Sequence, residues 1–296
     1  MDFKRIQVLL ILFFVVFDLY LAFLLSERGS FSQTANNAAT PVNAVQEMKN
    51  RGVTIAPYIN LNQDQEDLWV LKNTPSGELR ANRQQLINQQ VSIDPEGILT
   101  SHFDQPVELD ISLGREGKSS QLTQEDFKWM QENILSDPSL FIHGDLYTNA
   151  WYLPQDKIII CRMVTPELPE ADGQSPKLTI ADSTAEIRIL LDDDYNMISY
   201  IQTYQAPMVA LEKTGPLISS YQAIEMIENR IDTTLPNDAK IFSLSLSYYQ
   251  SVATSNFNIY SPAWEVIYYR QENGQAQSIL VDALKGKVVE SKNIMQ

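Results

Sequence analysis

The feature of this sequence that most limits its fold is an apolar run from Ile6 to Leu25, followed by 271 residues of ordinary polar composition. Sixteen of the 20 residues in the run are Leu, Ile, Val or Phe. A helix of this length is about 30 Å long, which matches the hydrocarbon core of a bilayer. These side chains contribute roughly −0.3 to −0.6 kcal/mol each, against roughly +3 kcal/mol for the single charged residue Asp18. The run therefore predicts one transmembrane helix.

The basic residues Lys4 and Arg5 directly before the run determine its predicted orientation. The positive-inside rule places the N-terminus in the cytoplasm and residues 26 onward outside the cell membrane. A cleavable signal peptide is the alternative, but the run is longer than the usual hydrophobic region and no small-x-small cleavage site follows it. We therefore expect a single-pass membrane protein with an extracellular C-terminal part.

Asp18, Gln7 and Tyr20 are the polar side chains within the apolar run. A carboxyl group at membrane depth usually faces a neighbouring helix or becomes neutral and donates a hydrogen bond. The alternative is that Asp18 extends towards the headgroups or is simply tolerated. We interpret the three residues as a candidate contact with a transmembrane partner.

The exported part is strongly acidic. The whole chain carries a formal net charge of −15, and residues 1–25 contain two charges of each sign, so the remainder also carries −15. Such a surface is repelled by nucleic acid and by anionic lipid headgroups, which excludes a nucleic-acid partner. The single cysteine, Cys161, allows no disulfide within the chain.

Capping residues and turn residues divide the exported part into helices and strands. Thr40 and Pro41 begin a first predicted helix that ends at Gly52, and Thr123 and Ser219 cap two later helices. Asp126 occupies the capping-box position of the helix that begins after Thr123. The predicted strands span residues 67–72, 107–113, 147–153, 157–165, 185–191, 197–205, 241–249, 264–270, 277–282 and 287–291.

A helix followed by antiparallel strands thus occurs twice, which predicts an α+β fold with a repeated helix-on-sheet unit. The predicted organisation is a cytoplasmic tail (1–5), a transmembrane helix (6–25), a flexible stalk (26–40), an N-terminal α+β domain (41–118), and a C-terminal domain (119–296) with units at about 120–207 and 216–292.

Two motifs suggest chemistry but fail on spacing. The sequence from His143 to Asn149 is similar to a phosphotransferase loop, one residue too short and without a glycine-rich loop. The sequence from Asp192 to Asn196 is similar to a calcium loop, but Met197 stands where glycine is needed. We interpret them as a loop and a polar hairpin turn, and we expect no cofactor and no metal. A glycosidase that uses only carboxylates remains the enzymatic alternative.

The region 248–269 is rich in aromatic residues, among them Trp264, Tyr268 and Tyr269. Core packing and strand propensity explain most aromatic residues in such a segment. Tyr and Trp are also favoured at protein interfaces, so these three form a candidate interaction face.

The chain resembles the YycI family. The resemblance rests on Met1-Asp-Phe-Lys-Arg before the apolar run, the polar stalk, and the C-terminal motifs Pro262-Ala-Trp-Glu-Val266, Val281-Asp-Ala and Gly286-Lys-Val-Val289. In this chain Asp18 stands where an uncharged polar residue such as Asn is expected.

This resemblance implies a non-enzymatic, membrane-anchored regulator of the WalK/WalR two-component system. It would act with a YycH-type partner on the WalK-type sensor histidine kinase, in part through transmembrane helices, without a cofactor. The implied fold is PepSY-like and β-lactamase-inhibitor-like. A membrane-tethered inhibitor or chaperone of secreted proteases is the alternative, suggested by the PepSY-like C-terminal unit.

Overall fold

The computed structural model describes Phe14 and residues 43–62, 67–113, 122–154, 156–166, 169–170, 173–174, 177–229, 235–270 and 276–289. The chain divides into two units, Met1–Asn43 and Ala44–Gln296. In the first unit only Phe14, which is helical, and Asn43 are described. The architecture below is that of the second unit.

Four helices of five to nine residues are described. They are α1 (Ala44–Asn50), α2 (Glu78–Asn82), α3 (Gln124–Met130) and α4 (Ser220–Glu228). The predicted caps are confirmed: Thr123 and Ser219 form capping boxes with Asp126 and Gln222. A wider π-helical turn, Gln131–Leu135, extends α3.

Gly52 ends α1 as predicted, with a left-handed φ of +93°. A β-carbon at this position would lie 2.8 Å from the carbonyl oxygen of Asn237, so the site also requires the absence of a side chain. Thr40 and Pro41, which were predicted to begin this helix, lie outside the described residues.

Fifteen strands are described. They are β1 (Thr54–Ile55), β2 (Trp69–Asn73), β3 (Gln89–Ile93), β4 (Leu99–Val107), β5 (Tyr147–Leu153), β6 (Ile158–Met163), β7 (Pro169–Glu170), β8 (Gly173–Gln174), β9 (Glu186–Leu191), β10 (Met197–Gln202), β11 (Val209–Lys213), β12 (Ala239–Ala253), β13 (Asn258–Arg270), β14 (Ala276–Asp282) and β15 (Lys287–Val289).

Most of these strands form two sheets. The six-stranded sheet has the order β3-β4-β10-β9-β6-β5, and all its pairs are antiparallel. The seven-stranded sheet has the order β1-β12-β13-β14-β15, with β2 paired to the first residues of β13 and β11 paired to β2. In this second sheet β1 is parallel to β12, and the other pairs are antiparallel.

The fold is therefore a mixed α+β fold dominated by sheet. Along the chain, β5, β6, β9 and β10 follow α3, and strands β12 to β15 follow α4. Earlier strands complete both sheets: β3 and β4 join the first, and β1 and β2 join the second. The predicted domain boundary between residues 118 and 119 falls in 114–121, outside the described residues.

The predicted strand at 107–113 is wrong beyond its first residue, Val107, which ends β4 and pairs with Met197. Leu109, Ile111 and Leu113 are buried in alternation as in a strand, but the segment 108–113 pairs with no described strand. Its backbone is held by a side chain instead, because the Ser112 N–H donates to Asp126 Oδ1 at 2.6 Å. The strand lies just before it, at β4, and β3, α2 and β11 were not predicted.

Two large apolar cores lie at opposite ends of the long strands β12 and β13. One lies between the seven-stranded sheet and helices α1 and α4, and includes Met48, Ile224, Ile227, Trp264 and Val281. The other lies under the six-stranded sheet and α3, and the far ends of β12 and β13 contribute Tyr248 and Tyr260 to it. The long strands therefore connect the two cores.

Candidate functional site

The transmembrane contact predicted from Asp18, Gln7 and Tyr20, and the topology signal of Lys4 and Arg5, lie outside the described residues. Among the helices that the structure describes, none is both long enough and apolar enough to span a bilayer.

The three aromatic residues of the candidate interaction face do not share one face. Trp264 and Tyr268 point into the core under α4, where Trp264 is fully buried and its Nε1 donates to the Ile218 carbonyl at 2.8 Å. Tyr268 is also buried and donates to Gln277 Oε1 at 2.6 Å. Tyr269 lies on the opposite face of β13, because successive strand residues alternate. The candidate face is corrected to Tyr269 alone.

Tyr269 has neighbours that sequence reasoning did not select. Its ring lies 5.6 Å from that of Phe242, and the Lys240 ammonium lies 5.7 Å from its centre. Tyr58, three-quarters exposed, donates to the Phe242 carbonyl at 2.8 Å. This small aromatic group lies on the face of the sheet opposite the helices and partly exposed to solvent.

The His143 loop is a structural turn before β5. His143 adopts a left-handed φ of +51° and stacks on Tyr204, with ring centres 4.9 Å apart. Gly144 has no room for a side chain, since a β-carbon would lie 2.2 Å from the Leu135 carbonyl oxygen. Asn149, the last residue of the motif, donates to Thr179 Oγ1 at 3.1 Å. These contacts support the interpretation of the motif as a loop before β5.

The sequence 192–196 forms the hairpin turn between β9 and β10. Asp192 Oδ1 accepts hydrogen bonds from the N–H groups of Asp194 and Asn196 at 2.9 and 2.8 Å, and Lys157 pairs with Asp193. A cleft of about 550 Å³ separates this turn from the segment 106–113. No group of three potential metal ligands occurs within the described residues. The turn is the polar hairpin that the sequence predicted.

A cluster of charged side chains is buried where the two sheets meet. Arg162 on β6 and Glu186 on β9 are directly opposite cross-strand partners, joined by a hydrogen bond of 2.8 Å from Arg162 Nε. Arg162 Nη1 also donates to Glu265 Oε1 on β13 at 2.6 Å, and its guanidinium lies 4.5 Å from the centre of the Trp151 ring. Arg188 Nε donates to the second oxygen of Glu186 at 2.6 Å. This charge cluster links the six-stranded sheet to the seven-stranded sheet.

Burial dominates the electrostatics of the cluster. Burial raises the pKa of Glu265 above its ordinary value, although the charge of Arg162 acts in the opposite direction. Burial lowers the pKa of Arg162, but Glu265 and Glu186 outweigh it, so the net shift is upward. Burial also raises the pKa of Asp182, which accepts hydrogen bonds from Thr184 and from the Gln250 N–H of β12. The carboxyl groups of Glu265 and Asp182 form hydrogen bonds between the two sheets and are shielded from solvent.

Cys161 lies beside this cluster but is not a reactive thiol. Its side chain is completely buried, and burial raises the pKa of the thiol well above its usual range. The buried charges therefore position the two sheets relative to each other.

Comparison with known proteins decides the family. The family model for YycI protein matches residues 32–284, from the predicted stalk through β14. The chain belongs to the YycI family. The matched range includes most of the predicted stalk at 26–40 and the C-terminal motifs at 262–266 and 281–283.

Two solved structures show distant similarity. An uncharacterized protein from Eubacterium rectale is 11% identical, with 80% of this chain and 90% of that chain covered and a TM-score of 0.42. The YpeB C-terminal domain of Bacillus megaterium is 10% identical, with 86% and 96% covered and a TM-score of 0.30. No curated protein matches the sequence.

Proposed function

We propose that this YycI-family chain is a non-enzymatic, membrane-anchored regulator that binds a WalK-type sensor histidine kinase together with a YycH-type partner. The observation that carries this proposal is the family match over residues 32–284. In this proposal the apolar run from Ile6 to Leu25 is the single anchor, the N-terminus is cytoplasmic, and the folded unit is extracellular.

The charge of the chain supports a protein partner outside the cell. A net charge of −15 disfavours nucleic acid and anionic lipid surfaces as partners of the folded unit. The unit formed by α4 and β12 to β15 is the part that we propose is PepSY-like. We further propose that Asp18, Gln7 and Tyr20 contact the partner within the membrane.

Regulation without catalysis requires only differential binding. A regulator that binds one signalling conformation of the kinase better than the other shifts the equilibrium by that difference in affinity. A coupling of about 1–3 kcal/mol changes the population ratio by about 5-fold to 150-fold. A non-enzymatic chain can therefore control kinase output.

The test is a pull-down of the kinase from membranes with the full chain, combined with measurement of kinase autophosphorylation. Replacement of Ile6 to Leu25 by polyleucine should reduce both kinase capture and the regulatory effect, whereas Tyr20→Phe, which keeps the ring, should change them less than Asp18→Leu. Retention of both by the polyleucine variant would show that the membrane contact is wrong. Loss of capture only when the folded unit is removed would place recognition outside the membrane.

A further inference from the structure

Strand β11 forms a free edge of the seven-stranded sheet. It pairs with β2 on one side, and within the described part of the chain no strand pairs with its other side. Four of its five residues are exposed, and Ala210 is half-buried. An edge strand presents unpaired backbone N–H and C=O groups that can pair with another chain.

A row of apolar side chains runs from this edge across the outer face of the sheet. Val209 is opposite Lys72, Lys72 is opposite Ile259, and Ile259 is opposite Val252, so the four side chains share one face. Leu71 and Tyr260 are the sequence neighbours of Lys72 and Ile259. They point to the other face of the sheet and are fully buried in the core.

The apolar members of this row are unusually exposed. Val209, Leu211 and Val252 are 60%, 47% and 40% exposed. Six large hydrophobic residues of Ala44–Gln296 are described as exposed, and half of them lie here. We call Val209, Leu211, Val252 and Ile259 the edge strip; Leu211 lies at the register shift of β11 and is opposite no residue of β2. Clustering of this kind at a sheet edge is typical of a binding surface.

Two lysines and one glutamate lie beside the edge strip: Lys72, Lys213, and Glu212, which is opposite Val70 on the same face as the strip. Lys72 Nζ lies 5.1 Å above the Phe257 ring, and Lys213 Nζ lies 5.6 Å above the Trp69 ring. Neither ammonium group pairs with a carboxylate within the described residues. Lys213 is opposite Trp69, on the face of the sheet away from the edge strip. A segment that pairs with β11 would therefore meet Val209 and Glu212 on the strip face and the Lys213 ammonium on the other face.

We propose that β11 is the docking site for an extended segment of a partner protein, which adds to the sheet as a further strand. Its side chains would alternate, with apolar residues on the edge strip and acidic residues on the face of Lys213. A second copy of this chain is disfavoured, because two units of net charge −15 repel each other, and an anionic lipid surface is disfavoured for the same reason. The inference deepens the proposed function and rests on it for the presence of a protein partner.

The test uses the full chain in its own cells with a photoreactive benzoylphenylalanine at position 211, and the same group at the exposed Ile87 as a matched control. The expected result is a crosslink from position 211 to one segment of one other protein, in which apolar and acidic residues alternate. Lys213→Glu should reduce the yield about fivefold, and Lys213→Arg should leave it unchanged, because only the charge matters for the contact.

Other outcomes overturn the proposal. A crosslink to a second copy would make the strip a homodimer interface, and a crosslink to lipid would make it a membrane contact. A yield no higher than that at position 87, or attachment to residues spaced as in a helix, would also exclude strand addition. Kinase capture by the full chain is measured separately, so a failed crosslink with intact capture overturns the docking site alone.

Discussion

Arg51 and Glu228, which are 177 residues apart in sequence, form a two-pronged ion pair that joins α1 to α4. Arg51 Nε and Nη2 donate to Glu228 Oε1 at 3.1 and 2.9 Å, and Nη2 also donates to Oε2 at 2.6 Å. Arg51 Nη1 donates to the Leu235 carbonyl and to Asn237 Oδ1, both at 3.0 Å. One guanidinium thus fixes the end of the first helix of the folded unit to the end of α4 and to the segment before β12.

Arg51→Ala should lower the free energy of unfolding by about 2 kcal/mol, because it leaves the carboxylate of Glu228 buried without a partner. The loss is smaller than for a fully buried pair, since the Arg51 side chain is 31% exposed. The change in the free energy of unfolding is measured by urea unfolding of the full chain in detergent, monitored by tryptophan fluorescence. Lys128→Ala is the control: its pair with Glu132 is exposed, so the change should stay within about 0.5 kcal/mol. Equal losses in the two variants would contradict the role of Arg51.

Arg162→Met should lower the free energy of unfolding by about 3–5 kcal/mol, more than Arg51→Ala. It leaves both Glu186 and Glu265 without the guanidinium that joins the sheets. The loss should depend on pH. Burial raises the folded-state pKa of Glu265, and removal of Arg162 raises it further, so the folded variant binds more protons than the unfolded chain. Its stability should therefore fall as pH rises from the ordinary glutamate pKa through the raised folded value.

Unfolding of Arg162→Met at pH 5 and pH 7 provides the measurement, with Arg162→Met combined with Glu265→Gln as the matched variant. The combined variant should regain part of the stability at pH 7, since an amide is less costly to bury than a carboxylate. A single variant that is equally unstable at both pH values would show that Glu265 does not titrate in this range.

Asp126 should give the opposite pH dependence. Burial raises its pKa, but hydrogen bonds from Ser112 and Thr123 outweigh burial and leave the pKa below its ordinary value of 3.8. Its contribution is therefore complete above the unfolded pKa and lost as pH falls through the folded pKa. Asp126→Asn should cost about 1–2 kcal/mol at pH 7 and less at pH 3.

The second capping box supplies the control for Asp126. Ser219 and Gln222 make the same reciprocal hydrogen bonds without a titratable group. Ser219→Ala should cost about 1 kcal/mol at both pH values. The prediction for Asp126 fails when the two variants show the same pH dependence in urea unfolding.

Gly144→Ala should prevent normal packing between the end of α3 and the turn before β5. The added β-carbon would lie 2.2 Å from the Leu135 carbonyl oxygen and 2.8 Å from the Phe141 β-carbon. We expect a loss of about 3 kcal/mol or more in thermal unfolding measured by circular dichroism. Gly215→Ala is the matched substitution, since nothing lies within 4 Å of its β-carbon, and it should be neutral or slightly stabilising.

Local signals in the sequence predicted local structure well. Thr123, Ser219 and Gly52 act through their nearest neighbours, and each was placed correctly as a helix boundary. Residues 108–113 were predicted wrongly as a strand because buried Leu109, Ile111 and Leu113 alternate as in a strand, whereas strand pairing depends on a partner that the segment itself does not encode.

The surface features and the buried ion pairs depend on contacts between residues that are far apart in the sequence. Tyr268 and Tyr269 are adjacent in a strand, so strand alternation alone could have shown that they do not share a face. The lone Arg162 in the apolar stretch around Cys161 was a signal of a buried ion pair, but its partner Glu265 lies 103 residues later. The edge strip was missed because Val209, Leu211, Val252 and Ile259 become neighbours only through the pairing of four strands.

The pairing of β1 with β12 has a consequence for biogenesis. Thr54 and Ile55 pair with Lys240 and Ile241, so strands made early in synthesis complete their sheet only after most of the chain has left the ribosome. Contacts between such distant residues slow folding. If the apolar run enters the membrane first, the exported segment must stay unfolded near the exit of the export channel until its last strands arrive, and the cell must protect it from proteases during that interval.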